Sequence, residues 1–163
     1  MLPLESKIIS RQDIQALRTE HKKNGQRVVL ANGCFDVLHA GHVRYLEAAR
    51  KEGDVLVVGV NSDATVRDLK GAGRPILDEN ARARLVAALR AVDYVIIFSE
   101  TSVEVLLEEL RPDVHAKGTD YTADTVPERA TSNSLGIRVA IVGDPKEHST
   151  RGLLESVRKA PHG

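Results

Sequence analysis

The twelve residues Ala31-Asn32-Gly33-Cys34-Phe35-Asp36-Val37-Leu38-His39-Ala40-Gly41-His42 constrain the fold more than any other part of the chain. An apolar run, Val28 to Ala31, leads into them, and a helix-period series, Val43, Leu46 and Ala49, leads out. The pattern predicts a strand, a tight turn and a helix start. α/β proteins hold phosphates at such turns. Gly33 and Gly41 allow the backbone to approach a ligand, and the first turn of the helix offers N–H groups and the positive end of its dipole. The spacing His39-x-Gly41-His42 puts one imidazole just before the helix and the other in its first turn, so both can point at one anion and donate from a ring nitrogen. Two unrelated surface or capping histidines are the plainer alternative, common for a lone histidine and less so for a pair inside a glycine-bearing turn.

Composition limits where an anion could be held. Twenty-three basic and 23 acidic residues give a formal net charge of zero, so no global field favours nucleic acid or an anionic membrane, and an anion site must be local. With 163 residues the chain suits one domain with a substantial core. The single cysteine, Cys34, excludes an intrachain disulfide, offers no metal cluster and reads as a small packed residue. Met1 to Ile9 is too polar for a signal peptide and no apolar run reaches the length of a membrane span, so a cytoplasmic protein is expected.

In chain order, Ser10 as N-cap with Ile14 and Leu17 behind it predicts a packing helix over 11–23, stopping near Asn24-Gly25. Residues 1–26 are thus expected as a helical extension of a single domain whose body covers 27–159, with a loose tail over 160–163. A strand at 27–32 precedes the helix from Gly41, and Asp54 to Asn61 is a near-continuous apolar run suited to a parallel strand covered on both faces. After a short helix from Asp63 to Leu69, the loop Lys70-Gly71-Ala72-Gly73-Arg74-Pro75 carries two cations at the carboxyl edge of that strand, where open α/β sheets bind ligands. A solvated basic loop is the equal alternative. A helix over 80–90 is expected with Leu85 and Leu89 inside, and its Arg82 could pair with an acid or face the site. Val92 to Phe98 is the third strand, and Val103, Leu106, Leu107 and Leu110 mark a helix. Pro112 to Lys117 is the fourth strand, ending in Gly118-Thr119-Asp120-Tyr121; Thr122 to Asn133 is weakly patterned, with a helix from Pro127. Ile137 to Val142 is the fifth strand, and Ser149 caps a final helix with Leu153, Leu154 and Val157 inside. Alternating strands and helices imply a Rossmann-like three-layer α/β/α domain with a parallel sheet and right-handed crossovers.

The run Gly33 to His42 resembles the signature of the nucleotidyltransferase superfamily that includes cytidylyltransferases and sugar-phosphate adenylyltransferases. The likeness continues through Val60-Asn61-Ser62-Asp63, Leu69-Lys70-Gly71, Gly73-Arg74-Pro75-Ile76, Arg82, Ala88-Leu89, Val92 to Val95, Lys117 to Tyr121 and Ser149-Thr150. Within that superfamily the pattern is most similar to the D-glycero-β-D-manno-heptose 1-phosphate adenylyltransferases. The resemblance implies a five-stranded sheet in order 3-2-1-4-5. It also implies that His39, His42 and Lys70 serve catalysis, and that Gly33, Cys34, Phe35, Asp36, Gly41, Arg82, Lys117, Gly118, Asp120, Ser149 and Thr150 bind the nucleotide. For Asp36 the residues leave two roles open: orienting a histidine or binding a hydroxyl, or forming an Asx turn. Lys117 could be a sheet-edge lysine with no ligand, although its position after the fourth strand favours a site role. Two departures stand out: Ser149-Thr150-Arg151 replaces a usual Ser-Thr-Thr or Ser-Thr-Ser, and Thr119 replaces the second glycine of Lys-Gly-Gly-Asp-Tyr.

The implied reaction is attack of a sugar 1-phosphate oxygen on the α-phosphorus of ATP, with magnesium-bound pyrophosphate leaving in line. Its nucleophile is already an anion, so the protein need only bring like charges together and stabilise charge on the phosphoryl oxygens. Magnesium would be carried on the ATP phosphates, with no protein ligand set. A cytidylyltransferase for glycerol 3-phosphate or a similar phosphorylated alcohol is the alternative enzyme, and a non-catalytic nucleotide-binding protein is the third class. The intact histidine pair argues against the third, and the residues themselves do not distinguish adenine from cytosine. The short chain suggests a separate heptose kinase and phosphatase as pathway partners, and the resemblance implies a homodimer.

Overall fold

The computed structural model describes residues 2–145 and 149–161; the last two residues of the expected tail lie outside them. Five parallel strands form one sheet: β1 (Val28–Gly33), β2 (Val55–Asn61), β3 (Tyr94–Phe98), β4 (Val114–Gly118) and β5 (Arg138–Val142). Their order is β3-β2-β1-β4-β5, as expected. The helices are α1 (Leu4–Lys7), α2 (Ile14–Lys23), α3 (Ala40–Arg50), α4 (Asp63–Lys70), α5 (Glu79–Ala87), α6 (Glu104–Leu110), α7 (Arg129–Ser134) and α8 (Thr150–Lys159). A 3-10 turn, Arg11–Asp13, opens α2, and Ser10 bonds the Asp13 carboxylate through both its backbone N–H and its hydroxyl.

Alternating side chains divide the sheet between two cores. Val29 and Ala31 join Leu46 and Ala49 of α3 and Ala83, Val86 and Ala87 of α5 on one face. Val28 and Leu30 join Ile14 and Leu17 of α2 and Leu106, Leu107 and Leu110 of α6 on the other. Every residue of β2 is buried, which explains its unbroken apolar run. The N-terminal segment is tied to the same body: Ile8 bridges Val95, and the buried Lys7 ammonium donates to the carbonyls of Ala87 at 3.1 Å and Val92 at 2.7 Å.

Two expectations about helix faces need correction. Leu85 is 44% exposed; Arg82, Ala83, Val86 and Ala87 turn inward instead, and α5 stops at Ala87. The inward arginine replaces the leucine because polar acceptors, described below, wait at the strand ends. In α8 no residue is buried, with Leu153 38% and Val157 68% exposed, so its apolar stripe does not join either core.

Strand register opens the crevice that matters for function. β1 stays paired with β2 as far as Gly33 opposite Val60, but pairs with β4 only to Ala31 opposite Ala116. β4 meanwhile stays paired with β5 through Gly118 opposite Val142. Beyond Ala31 and Ala116 the two central strands therefore part at their carboxyl ends, where the strand order reverses and open α/β sheets bind ligands.

Candidate active site

At the mouth of this crevice, the turn after β1 is braced by the two histidines. His39 is the N-cap of α3 in extended conformation, and its Nδ1 accepts the Gly41 N–H at 3.1 Å. His42 Nδ1 in turn accepts the His39 N–H at 3.3 Å. This is a reciprocal capping arrangement built from two imidazoles. Each neutral ring accepting at Nδ1 must carry its proton at Nε2, the nitrogen with which it would donate to a phosphate oxygen. The rings stack with centroids 3.8 Å apart, and the Phe35 ring meets His42 edge-on at 5.4 Å. Phe35 holds a left-handed φ of 49° and is buried; a side chain at Gly33 would come within 3.2 Å of its ring. A strained phenylalanine thus packs behind the catalytic candidate, a position such strain commonly marks.

Asp36 clamps the anion turn to the segment that follows α4. It is 2% exposed; one carboxylate oxygen accepts the N–H groups of Ile76 at 2.7 Å and Leu77 at 3.1 Å, and the other accepts from Arg74 Nε. The carboxylate therefore pins the far end of the Lys70–Pro75 loop to the anion turn. Its near end is different: Gly71 and Gly73 have φ of 94° and 82°, and a side chain at either would meet nothing within 4 Å. Lys70 is exposed at the end of α4, yet its charge reaches the turn: burial raises the Cys34 thiol pKa, and Lys70 is the foremost charge pulling it back down. Arg82, expected at the nucleotide, is fully buried and donates only to protein acceptors, the Leu77, Cys34 and Asn61 carbonyls and the Asp63 carboxylate. It stands behind the turn rather than in the crevice.

The opposite wall is formed by β4. Lys117 is 7% exposed, 3.7 Å from the Glu128 carboxylate and 4.6 Å from the centre of the Tyr121 ring. Burial lowers its pKa, and Glu128 offsets part of that shift. A side chain at Gly118 would meet nothing within 4 Å, leaving the backbone approachable there. Asp120 is exposed beside it. His115 Nε2 and Asn32 Oδ1 join the two walls at 3.0 Å below the opening, and Tyr45 of α3 donates to the Ala116 carbonyl at 2.8 Å. Ser149 caps α8 by accepting the Gly152 N–H at 3.0 Å, and the Thr150 hydroxyl donates to the Val37 carbonyl at 3.4 Å, bringing the α8 N-terminus against the anion turn. Arg151 is exposed, and Thr119 Oγ1 donates to the Asp144 carbonyl at 2.9 Å, linking the loops after β4 and β5.

Two helix N-termini and an imidazole pair thus meet at one crevice mouth, with Lys70 and Lys117 flanking it. Tyr45 and Glu128, which position these groups, carried no sequence signal, and Asn32 lies inside the Ala31–His42 run without a charge or ring to mark it. A fold and site of this kind define a doubly wound α/β domain with an anion-binding crevice at its switch point. The chain belongs to the cytidylyltransferase-like family, whose model matches residues 30–152.

Among curated relatives, it is 49% identical over 139 residues to the bifunctional protein HldE of Geobacter sulfurreducens, covering 85% of this chain and 28% of that protein. It is 43% identical over 156 residues to the bifunctional protein HldE of Syntrophotalea carbinolica, covering 96% of this chain and 32% of that one. The chain therefore spans about a third of the length of these relatives. Among solved structures, the lipopolysaccharide core biosynthesis protein from Thermoplasma volcanium GSS1 matches with a TM-score of 0.65 at 35% identity, over 75% of this chain and all of that one. Because the curated relatives are named bifunctional and are much longer, chain length is no argument for a separate kinase.

Proposed function

We propose that the chain transfers AMP from ATP to D-glycero-β-D-manno-heptose 1-phosphate, giving ADP-heptose and pyrophosphate. The observation that carries the transfer chemistry is the mutual capping of His39 and His42, which sets both protons at Nε2 on the rim of the β1–β4 crevice. The choice of heptose and adenine rests on the motif resemblance, supported by relatives named HldE.

Two donors preset by backbone hydrogen bonds need little reorganisation as charge builds on the phosphoryl oxygens. Lys70, on a loop pinned at one end and glycine-hinged at the other, supplies a cation that can close over the phosphates. Gly33, Gly41 and the N-termini of α3 and α8, with Ser149 and Thr150, bind anionic oxygens through N–H and hydroxyl groups. Lys117, Gly118 and Asp120 hold the nucleotide from the β4 side. The groups at the turn are imidazole and backbone donors plus cations, and Asp36 is occupied by Arg74 and two N–H groups. That donor set fits Mg²⁺ carried on the triphosphate, where it would neutralise the leaving pyrophosphate.

A sugar kinase and a phosphatase are the pathway partners that this reading implies for supply of the acceptor, whether on this polypeptide or another. The remaining readings are a homodimer and a cytoplasmic setting; no helix among the described residues is long and apolar enough to cross a membrane. The test is pyrophosphate release with each nucleoside triphosphate and heptose 1-phosphate or glycerol 3-phosphate. Fastest turnover with ATP and heptose 1-phosphate is expected, and preference for CTP or for glycerol 3-phosphate would overturn the assignment.

A further inference from the structure

Arg82 is the largest fully buried side chain among the described residues. Its guanidinium makes four hydrogen bonds to three separate segments: Nε to the Leu77 carbonyl at 2.9 Å, one terminal nitrogen to the Cys34 carbonyl and to the Asn61 carbonyl at the β2–α4 junction at 2.7 Å each, and the other to Asp63 Oδ1 of that same junction at 2.8 Å. Burying a guanidinium carries a desolvation cost that an apolar side chain of the same volume would avoid, so its retention calls for a role that only this planar fork can fill.

The acceptors indicate that role. Cys34 and Asn61 lie one residue past the last rung between β1 and β2, so a single nitrogen ties those strand ends together on the side away from the crevice. Asp63 opens α4, the helix that ends at Lys70. Leu77 is held at both of its backbone groups, its N–H by Asp36 and its carbonyl by Arg82. The anion turn, the root of the Lys70 helix and the end of the Lys70 loop therefore share one cation. We propose that Arg82 is a positioning residue for nucleotidyl transfer: it sets the spacing between the His39–His42 pair and Lys70 without touching the substrate. This rests on the reading of the turn as the phosphate site.

The test compares wild type with Arg82→Lys and Asp63→Ala. Lysine keeps the charge but cannot span the four acceptors, and Asp63→Ala removes one anchor while leaving the three carbonyl bonds. Misplacing catalytic groups by about an ångström costs on the order of a hundredfold in rate, so kcat should fall between about tenfold and a hundredfold in Arg82→Lys and about threefold to tenfold in Asp63→Ala, with the KM for ATP within about threefold of wild type. In a folded Arg82→Ala protein, added ethylguanidinium should restore part of the lost kcat. A second readout does not depend on the reaction: inorganic triphosphate is titrated while the Gly33 and Gly41 amide signals are followed, and the variants should bind it while showing displaced starting shifts at both glycines.

Wild-type kcat and unmoved glycine shifts in folded Arg82→Lys would overturn the proposal. Should Arg82→Lys fail to fold, wild-type kinetics and shifts in Asp63→Ala would overturn it instead. If wild type itself turns over no ATP with heptose 1-phosphate, the assigned reaction fails, and the triphosphate titration still decides the role of Arg82.

Discussion

Replacing Asp36 with asparagine removes one charge and changes almost no volume, so its effect isolates the clamp between the anion turn and the Lys70 loop. The carboxylate is 2% exposed and accepts from two main-chain N–H groups and one guanidinium. An asparagine oxygen can still accept the Ile76 and Leu77 N–H groups, but its amide then confronts Arg74 donor to donor. Hydrogen bonds to a charged group contribute about 1.5–3 kcal/mol, and a buried donor left unpaired costs a similar amount. The Arg74 side chain is 19% exposed and can turn partly to water, which softens the penalty. A loss of about 2–3 kcal/mol is expected, which for a domain of this size lowers the melting temperature by roughly 5–10 °C. The measurements are thermal unfolding and limited tryptic digestion at the Lys70–Gly71 bond. Cleavage there should accelerate in Asp36→Asn, because the loop loses its fixed end, and ATP with magnesium should protect wild type more than the variant. A melting temperature within about a degree of wild type, with unchanged cleavage, would refute the clamp.

Two further outcomes test the site and the crevice wall. For His42→Asn, kcat should fall roughly a hundredfold while ATP binding changes little, since asparagine can still accept the His39 N–H but loses the ring donor; near-normal single-turnover rates in a destabilised protein would reject the catalytic role. Burial, with Lys117 adding to it, pushes the His115 pKa down from 6.5 to about 3. Below pH ~6.5 the unfolded chain takes up a proton that the folded one refuses, so this contribution to stability is full above that pH and is lost toward pH 3 with a slope approaching about 1.4 kcal/mol per pH unit. His115→Gln should flatten the dependence of unfolding free energy on pH between 6 and 4, and an unchanged slope would count against a buried neutral His115.

How much of the fold was legible follows from which residues face a core on their own. β2 is buried throughout and β1 is buried from Val28 to Ala31, so their apolar runs identified them directly. The four apolar positions predicted for α6, Val103, Leu106, Leu107 and Leu110, are all buried. Helical spacing failed at α5 because it counts apolar residues alone. There the inward position belongs to an arginine whose partners are carbonyls from distant segments, and Leu85, chosen by hydropathy, is turned outward. The α8 stripe is amphipathic by spacing yet covers neither core, since periodicity reports an apolar face and not what lies against it.

The site divides along the same line. A motif shows that His39 and His42 neighbour one another, but a one-dimensional pattern cannot tell that His39 Nδ1 is taken by the Gly41 N–H and His42 Nδ1 by the His39 N–H, which in the neutral rings fixes the protonated nitrogen. Nor can it separate a charge that meets the ligand from one that holds the frame. Arg74, Arg82, Lys70 and Lys117 are all cations near the turn, yet Arg74 is bound to Asp36, Arg82 is sealed behind the turn and Lys117 is paired with Glu128. Burial is what distinguishes them, because a buried cation must keep its counter-charge and cannot follow a triphosphate as it arrives and leaves. Lys70, exposed beside two hinge-like glycines, has the opposite constraints. These constraints are why Lys70 is the cation proposed to close on the phosphates, while Asp36 and Arg82 hold the frame.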